Sequence, residues 1–146
     1  MEDRGLALLL LENFNRFDNL IKNVTNTGMK KIQKLTPKQF FTLQQISKYE
    51  KIELKNLSKD LYVSTSSLCI LLNKMVAAGY VFREEDPRDR RNTFYGITED
   101  GRKVLKEEEI RITSTLVEHM SGFDEKFKKN LEKSLSVLVK TAEKLY

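Results

Sequence analysis

Between Leu54 and Gly101 the chain passes through two short amphipathic segments, a β-rich run, an arginine-dense turn, a second β-rich run and a helix start, with no break between them. That succession leaves few folds open. Leu54, Leu57 and Leu61 recur at three- and four-residue spacing, so they share one helix face, and Lys55, Asn56, Lys59 and Asp60 occupy the other. After Tyr62-Val63, Ser64 stands where a hydroxyl caps the free N–H groups of a new helix, with Thr65, Ser66 and Ser67 crowded at the same end. Hydroxyls and unpaired N–H groups there suit phosphate contacts. The spacing predicts the second helix over 65–78, stopped by Gly79. Leu68, Leu71, Leu72 and Met75 form its buried stripe, while Ser66, Cys69, Ile70, Asn73 and Lys74 face outward.

The runs 80–84 and 93–97 are rich in β-formers and flank a polar, proline-containing loop, the pattern of a hairpin. Arg88, Arg90 and Arg91 fall within four positions, more charge than chain reversal needs. Alone, the loop would read as a solvated turn neutralised by Glu84, Glu85, Asp86 and Asp89. Directly after two short helices it reads as the wing of a winged helix-turn-helix. The second helix is then a recognition helix for the major groove of double-stranded DNA, and the arginines meet the sugar-phosphate backbone or the minor groove. Asp86 and Asp89 are expected to orient the arginines. The fold class expected is mainly α with a small β-hairpin wing (α+β).

At these residues the chain resembles the MarR family of transcriptional regulators. Asp86-Pro87-Arg88-Asp89-Arg90-Arg91 fits that family's D-x-R-x-x-R pattern, and Ile97-Thr98-Glu99-Asp100-Gly101 is similar to its exit from the second wing strand into a helix. Leu35-Thr36-Pro37-Lys38-Gln39-Phe40 and residues 71–81 extend the resemblance over most of the chain. It departs at Ser58, where such regulators usually carry alanine, and at Tyr62, where they usually carry glycine. Cys69 and Ile70 stand where polar or basic residues are general. An apolar side chain still reads a thymine methyl group, and the remaining load shifts to Ser66, Asn73, Lys74 and the wing. The resemblance implies terminal helices that interdigitate with a second subunit. It also implies a small aromatic or anionic effector bound between those helices and the winged domain, for which Phe14, Phe17, Phe40 and Phe41 are the candidate ring residues; plain core packing is the alternative for each. Relatives that sense oxidants do so through a thiol in the N-terminal helix, which this chain lacks.

The flanks carry their own pattern. Leu6, Leu9, Leu10, Phe14, Phe17, Leu20, Ile21 and Val24 fall at helical spacing up to about Thr27. Thr98 is a natural N-cap, with Glu99 and Asp100 favourable at the positive helix end, for a helix through Val104, Leu105, Ile112, Leu116, Val117 and Met120. Ser121-Gly122 breaks it, and a last helix from about Asp124 carries Phe127, Leu131, Leu135, Leu138, Val139 and Leu145. One small winged domain cannot bury all of these stripes, so a homodimer is expected, against the alternative of a bundle within one subunit. The expected division is 1–34 as N-terminal dimerisation helix and linker, 35–98 as winged helix-turn-helix and 99–146 as C-terminal dimerisation helices. A two-fold dimer presents recognition helices to half-sites about 34 Å apart, so its operator is an inverted repeat.

The 146 residues amount to one domain, and 26 basic against 21 acidic residues give a net charge of +5, which suits a polyanion partner. Leu6 to Leu11 is too short to span a bilayer and lacks the basic flank of a signal peptide, so a cytoplasmic protein without membrane association is expected. With one cysteine, Cys69, and one histidine, His119, neither an internal disulfide nor a metal site is expected, and no cofactor. Oxidation of Cys69 on the outward face would obstruct docking, although a small residue that happens to sit there is the plainer reading. No glycine-rich phosphate loop, nucleophile–histidine arrangement or paired-carboxylate site points to an enzyme. The expectation is a homodimeric, sequence-specific transcriptional regulator, with repression by promoter blocking the commoner outcome. The rival is a winged-helix module that binds protein through the apolar surface around Cys69 and Ile70.

Overall fold

Two of the three helices of the winged region start at a side chain that satisfies a backbone N–H group, as seen in the computed structural model, which describes residues 1–27 and 34–145. The chain divides between Thr113 and Ser114 into two compact units. In the first, α1 (Asp3–Thr27) is the long helix that the apolar spacing predicts. The linker expected after it falls on residues 28–33, outside the described residues. α2 (Pro37–Ile46) starts at a capping box: Gln39 N–H donates to Thr36 Oγ1 at 3.2 Å and Thr36 N–H donates to Gln39 Oε1 at 3.0 Å. Pro37 sits in the first turn, where its missing N–H costs nothing. Phe40, Leu43 and Ile46 turn inward.

Next come β1 (Ile52–Glu53), α3 (Leu54–Leu61) and α4 (Thr65–Ala77). Leu57 is fully buried at the centre of α3, with Leu54 and Leu61 half-buried beside it. The turn to α4 puts Tyr62 in the left-handed region, φ 53° and ψ 41°, the conformation for which glycine is the usual choice. Ser58 helps hold that turn: its hydroxyl donates to Val63 O at 2.6 Å while its carbonyl accepts Val63 N–H at 3.2 Å. The two departures from the family pattern thus meet in one turn. α4 then begins at Ser64, whose Oγ accepts Ser67 N–H at 3.2 Å, and ends in a Schellman motif. Tyr80 N–H bonds Met75 O, Gly79 N–H bonds Val76 O, and Gly79 adopts φ +81°. Leu68, Leu72 and Met75 are buried as the spacing predicts, but Leu71 is only half-buried. It lies about 60° around the helix from Leu68, at the margin of the stripe.

β2 (Val81–Glu85) and β3 (Thr93–Ile97) form the expected antiparallel hairpin, in register Val81↔Ile97, Arg83↔Tyr95 and Glu85↔Thr93. β2 starts one residue later than predicted because Tyr80 N–H is spent on the helix end. The sheet also has a third strand: β1 pairs antiparallel with β3, Ile52 opposite Tyr95, giving the order β1-β3-β2. Two residues carry no legible alternation, so the sequence reading placed no strand there. Ile52, Val81, Tyr95 and Ile97 face inward onto Leu43, Leu57, Leu68 and Leu72 to make the core.

α5 (Glu99–Met120) is clasped onto this core at its first turn. Thr98 Oγ1 accepts Gly101 N–H at 3.0 Å and donates to Gly79 O at 2.6 Å, while Thr98 N–H donates to Tyr80 O at 3.1 Å. The exit from the second wing strand is therefore bolted to the end of α4. Along α5, Val104, Leu105 and Ile112 are buried, and so is Glu108, whose carboxylate is held by Arg111 one turn on, Nη2 to Oε2 at 2.9 Å. A buried carboxylate needs such a partner.

At the surface of the same unit Lys34 Nζ bonds Glu107 Oε2 at 2.7 Å. Hydrogen bonding and charge from Lys34 hold the Glu107 carboxyl below its ordinary 4.5, and Glu107 holds the Lys34 ammonium above its ordinary 10.5. The link stabilises the fold fully between those two ordinary values. It is lost as pH falls through the lowered Glu107 value or rises through the raised Lys34 value. In Lys34→Ala the Glu107 carboxyl carbon, followed by NMR, should titrate at a higher pH than in the parent, back towards the ordinary carboxylate value. An unmoved midpoint would contradict the pairing.

In the second unit, Phe123 N–H bonds Met120 O after the Ser121-Gly122 break, and Asp124 Oδ1 accepts Phe127 N–H at 2.7 Å to start α6 (Glu125–Leu145). The Phe123 and Phe127 rings meet edge to face with centroids 4.7 Å apart. Among the described residues, no helix is long and apolar enough to cross a membrane.

Candidate nucleic-acid interface

The burial of Leu68, Leu72 and Met75 decides which way the rest of α4 points. Ser66, Ile70, Asn73 and Lys74 are exposed on the opposite face, and Cys69 is half-buried at its edge. At the helix start, Ser64 and Ser67 are occupied with each other, Oγ to Oγ at 3.0 Å. Thr65 and Ser66 are exposed at the end where N–H groups and the helix dipole favour an anion.

The wing, residues 86–92, is closed by Asp86 N–H donating to Asn92 O and Asn92 N–H donating to Asp89 O, both at 2.9 Å. Its acidic residues are occupied within the loop. Asp86 Oδ1 accepts the backbone N–H of Arg88 at 2.9 Å; Asp89 Oδ1 accepts the Arg91 N–H at 3.0 Å and its Nε–H at 3.2 Å. Glu84 turns away to Lys51, 3.3 Å from its Nζ. The expectation that both aspartates orient the arginines is met in two ways: Asp89 grips a guanidinium, whereas Asp86 sets only the backbone. Among the described residues Arg88 and Arg90 form no ion pair, and the Arg91 side chain is 91% exposed despite its tether. Two guanidinium groups, Arg88 and Arg90, thus project from the loop without an ion pair among the described residues, and Arg91 projects beside them while tethered to Asp89.

Arg83 is a further cation that the sequence reading missed. It lies on the same face of the sheet as Val81 by strand alternation, yet one pair further out, where it is exposed. Its cross-strand partner Tyr95 touches both elements electrostatically. Burial raises the Tyr95 hydroxyl above its ordinary value, Arg83 pulls it down and Cys69 of α4 adds to the rise. The alternation from Val81 was the signal available for finding Arg83.

Of the rings proposed for an effector, Phe40 is buried and meets Phe41 edge-on at 5.4 Å, while Phe14 and Phe17 are exposed on α1. Elsewhere in the unit a cavity of about 400 Å³ is lined by Tyr49, Ile52, Asn56, Lys59 and Phe94, among others. Among the described residues no three His, Cys, Asp or Glu side chains stand close enough to hold a metal ion. His119 is exposed, its Nδ1 2.8 Å from Thr115 O.

Residues 35–93 match the model of the MarR family. The organic hydroperoxide resistance transcriptional regulator of Bacillus subtilis (strain 168) is 28% identical over 109 residues, 73% of this chain and 71% of that protein. The HTH-type transcriptional regulator SarZ of Staphylococcus haemolyticus (strain JCSC1435) is 34% identical over 67 residues, and the match spans about half of each chain, 46% in both. The crystal structure of Streptococcus pneumoniae FabT in complex with DNA superposes with a TM-score of 0.69 at 21% identity, covering 99% of this chain and 100% of that one.

Proposed function

We propose that the chain is a MarR-family transcriptional regulator: a cytoplasmic, homodimeric, sequence-specific DNA-binding protein that represses transcription by occupying an inverted-repeat operator. The observation that carries the proposal is the pairing of an outward polar face on α4 with a wing on which Arg88 and Arg90 form no ion pair among the described residues. FabT, which shares the fold, was crystallised with DNA. In the assignment that follows, Ser64 and Ser67 fix the start of the recognition helix, and Thr65 and Ser66 meet phosphates. Cys69, Ile70, Asn73 and Lys74 face the bases, while Arg88, Arg90 and Arg91 meet the backbone or the minor groove. A small aromatic or anionic effector acting near Phe14, Phe17, Phe40 and Phe41 would release the operator by binding the two forms of the dimer unequally.

Dimerisation is supported by apolar surface left bare on the single chain. α1 exposes Leu6, Leu9, Phe14, Phe17 and Leu20, and α6 has no buried residue while exposing Leu135, Leu138 and Val139. Continuous apolar stripes of this kind mark an interface rather than a solvated face. Leu135→Lys with Leu138→Lys should leave the winged domain folded and shift sedimentation equilibrium from dimer to monomer, weakening self-association at least about tenfold. A double variant that remains a dimer would exclude the α6 stripe from the interface.

A DNA reader also depends on salt. Affinity for duplex DNA should fall by about a thousandfold or more between 50 and 200 mM salt if six or more phosphates are contacted. Salt-independent binding would favour the rival protein-interaction module, whose affinity would depend on Ile70. Within the wing, Asp89→Asn keeps an oxygen for the Arg91 N–H and removes the charge. It should tighten DNA binding about two- to fivefold at low salt, a gain that vanishes at high salt. Weaker binding by this variant at low salt would mean that the Asp89 charge itself builds the wing.

A further inference from the structure

A single exposed apolar side chain is ordinary on a protein surface, so Ile70 draws notice for where it stands rather than for being exposed. It is two residues from Leu68, about 200° around α4, and so points nearly opposite the stripe that fixes the helix to the core. It is 63% exposed. The neighbours within one turn on that face, Ser66, Ser67, Asn73 and Lys74, are polar and exposed. One branched apolar group therefore sits in the middle of a hydrogen-bonding surface, where a polar residue would have added one more donor.

Resting on the DNA-reading role given above, we propose that Ile70 is a specificity-determining residue that reads the 5-methyl group of thymine in the major groove. Thymine is the one base that offers a methyl group there. Seating that methyl against isoleucine removes apolar surface of both from water. Cytosine at the same place would bring an amino group with no acceptor to meet. A β-branched side chain holds one dominant rotamer in a helix, so little conformational freedom is lost on contact. Ser66 and Ser67 position the helix start, and Ile70 adds selection for a methyl group to what Asn73 and Lys74 read.

The test uses the full chain and the operator it selects from random duplexes, with each thymine replaced in turn by deoxyuracil, which keeps every hydrogen-bonding group and lacks only the methyl. At one position in each half-site the parent should bind the deoxyuracil operator about fourfold more weakly, and about fifteenfold when both symmetric positions are replaced. Ile70→Ala, in which the altered side chain is exposed and thermal stability serves as the control, should bind thymine and deoxyuracil operators alike. Ile70→Val should keep part of the discrimination. Salt-dependent, sequence-selective binding with no sensitivity to any methyl, or equal discrimination in Ile70→Ala, would overturn the role of Ile70 and leave the DNA-reading role standing. Failure to select any sequence would overturn both.

Discussion

Replacing Arg88, Arg90 and Arg91 together with alanine should lower affinity for duplex DNA at least about a hundredfold at moderate salt. It should also reduce the slope of log affinity against log salt by about 2.7, three contacts at roughly 0.9 each. The expectation rests on how the wing's charges are balanced. Asp86 caps a backbone N–H, Glu84 is drawn to Lys51 and only Asp89 engages a guanidinium, so most of the positive charge on the loop is available to a polyanion. The single variants should therefore differ. Arg88→Ala and Arg90→Ala should each cost about tenfold, and Arg91→Ala less, because Asp89 already offsets that charge before DNA arrives. If the triple variant keeps the parent's affinity and salt slope, the wing takes no part in binding.

Gly101→Ala should destabilise the fold by about 3 kcal/mol and lower the melting temperature by roughly 10 °C. A Cβ at this position would stand 2.1 Å from Tyr80 O and 2.9 Å from Ile97 Cγ1. The carbonyl cannot retreat cheaply, because it accepts Thr98 N–H, and Thr98 is in turn tied to Gly79 O. Three elements, the end of α4, the end of β3 and the first turn of α5, would have to shift together. Gly122→Ala is the matched control: nothing lies within 4 Å of its added Cβ, and stability should change by less than about 0.5 kcal/mol. Equal melting temperatures for the two variants would contradict the close approach at Gly101.

The elements that could be read in the sequence are those whose signals are local. Ser64, Thr98 and Asp124 each cap a helix within three residues, Gly79 stops one, and the leucine spacing of α3 and α4 states which face turns inward. What could not be read depends on partners distant in the chain. β1 is two residues long and exists because β3 lies beside it. Glu108 looks like any surface acid until Arg111 and the buried face of α5 enclose it. Arg83 was obscured because its place depends on cross-strand register: it stands opposite Tyr95 of β3, on the face of Val81 but exposed. The wing illustrates both sides. Its arginines are plain in the sequence, but the unequal division of its acids between backbone, guanidinium and Lys51 is a matter of loop geometry.

The central claim is that α4 and the wing together read a two-fold DNA site, and selection of bound duplexes from a random pool tests it most directly. The full chain should enrich an inverted repeat with half-sites about one helical turn apart. The Arg88/Arg90/Arg91 triple-alanine variant should enrich none. No enriched sequence, with equally weak binding by both proteins, would contradict the claim and place the protein-binding reading first.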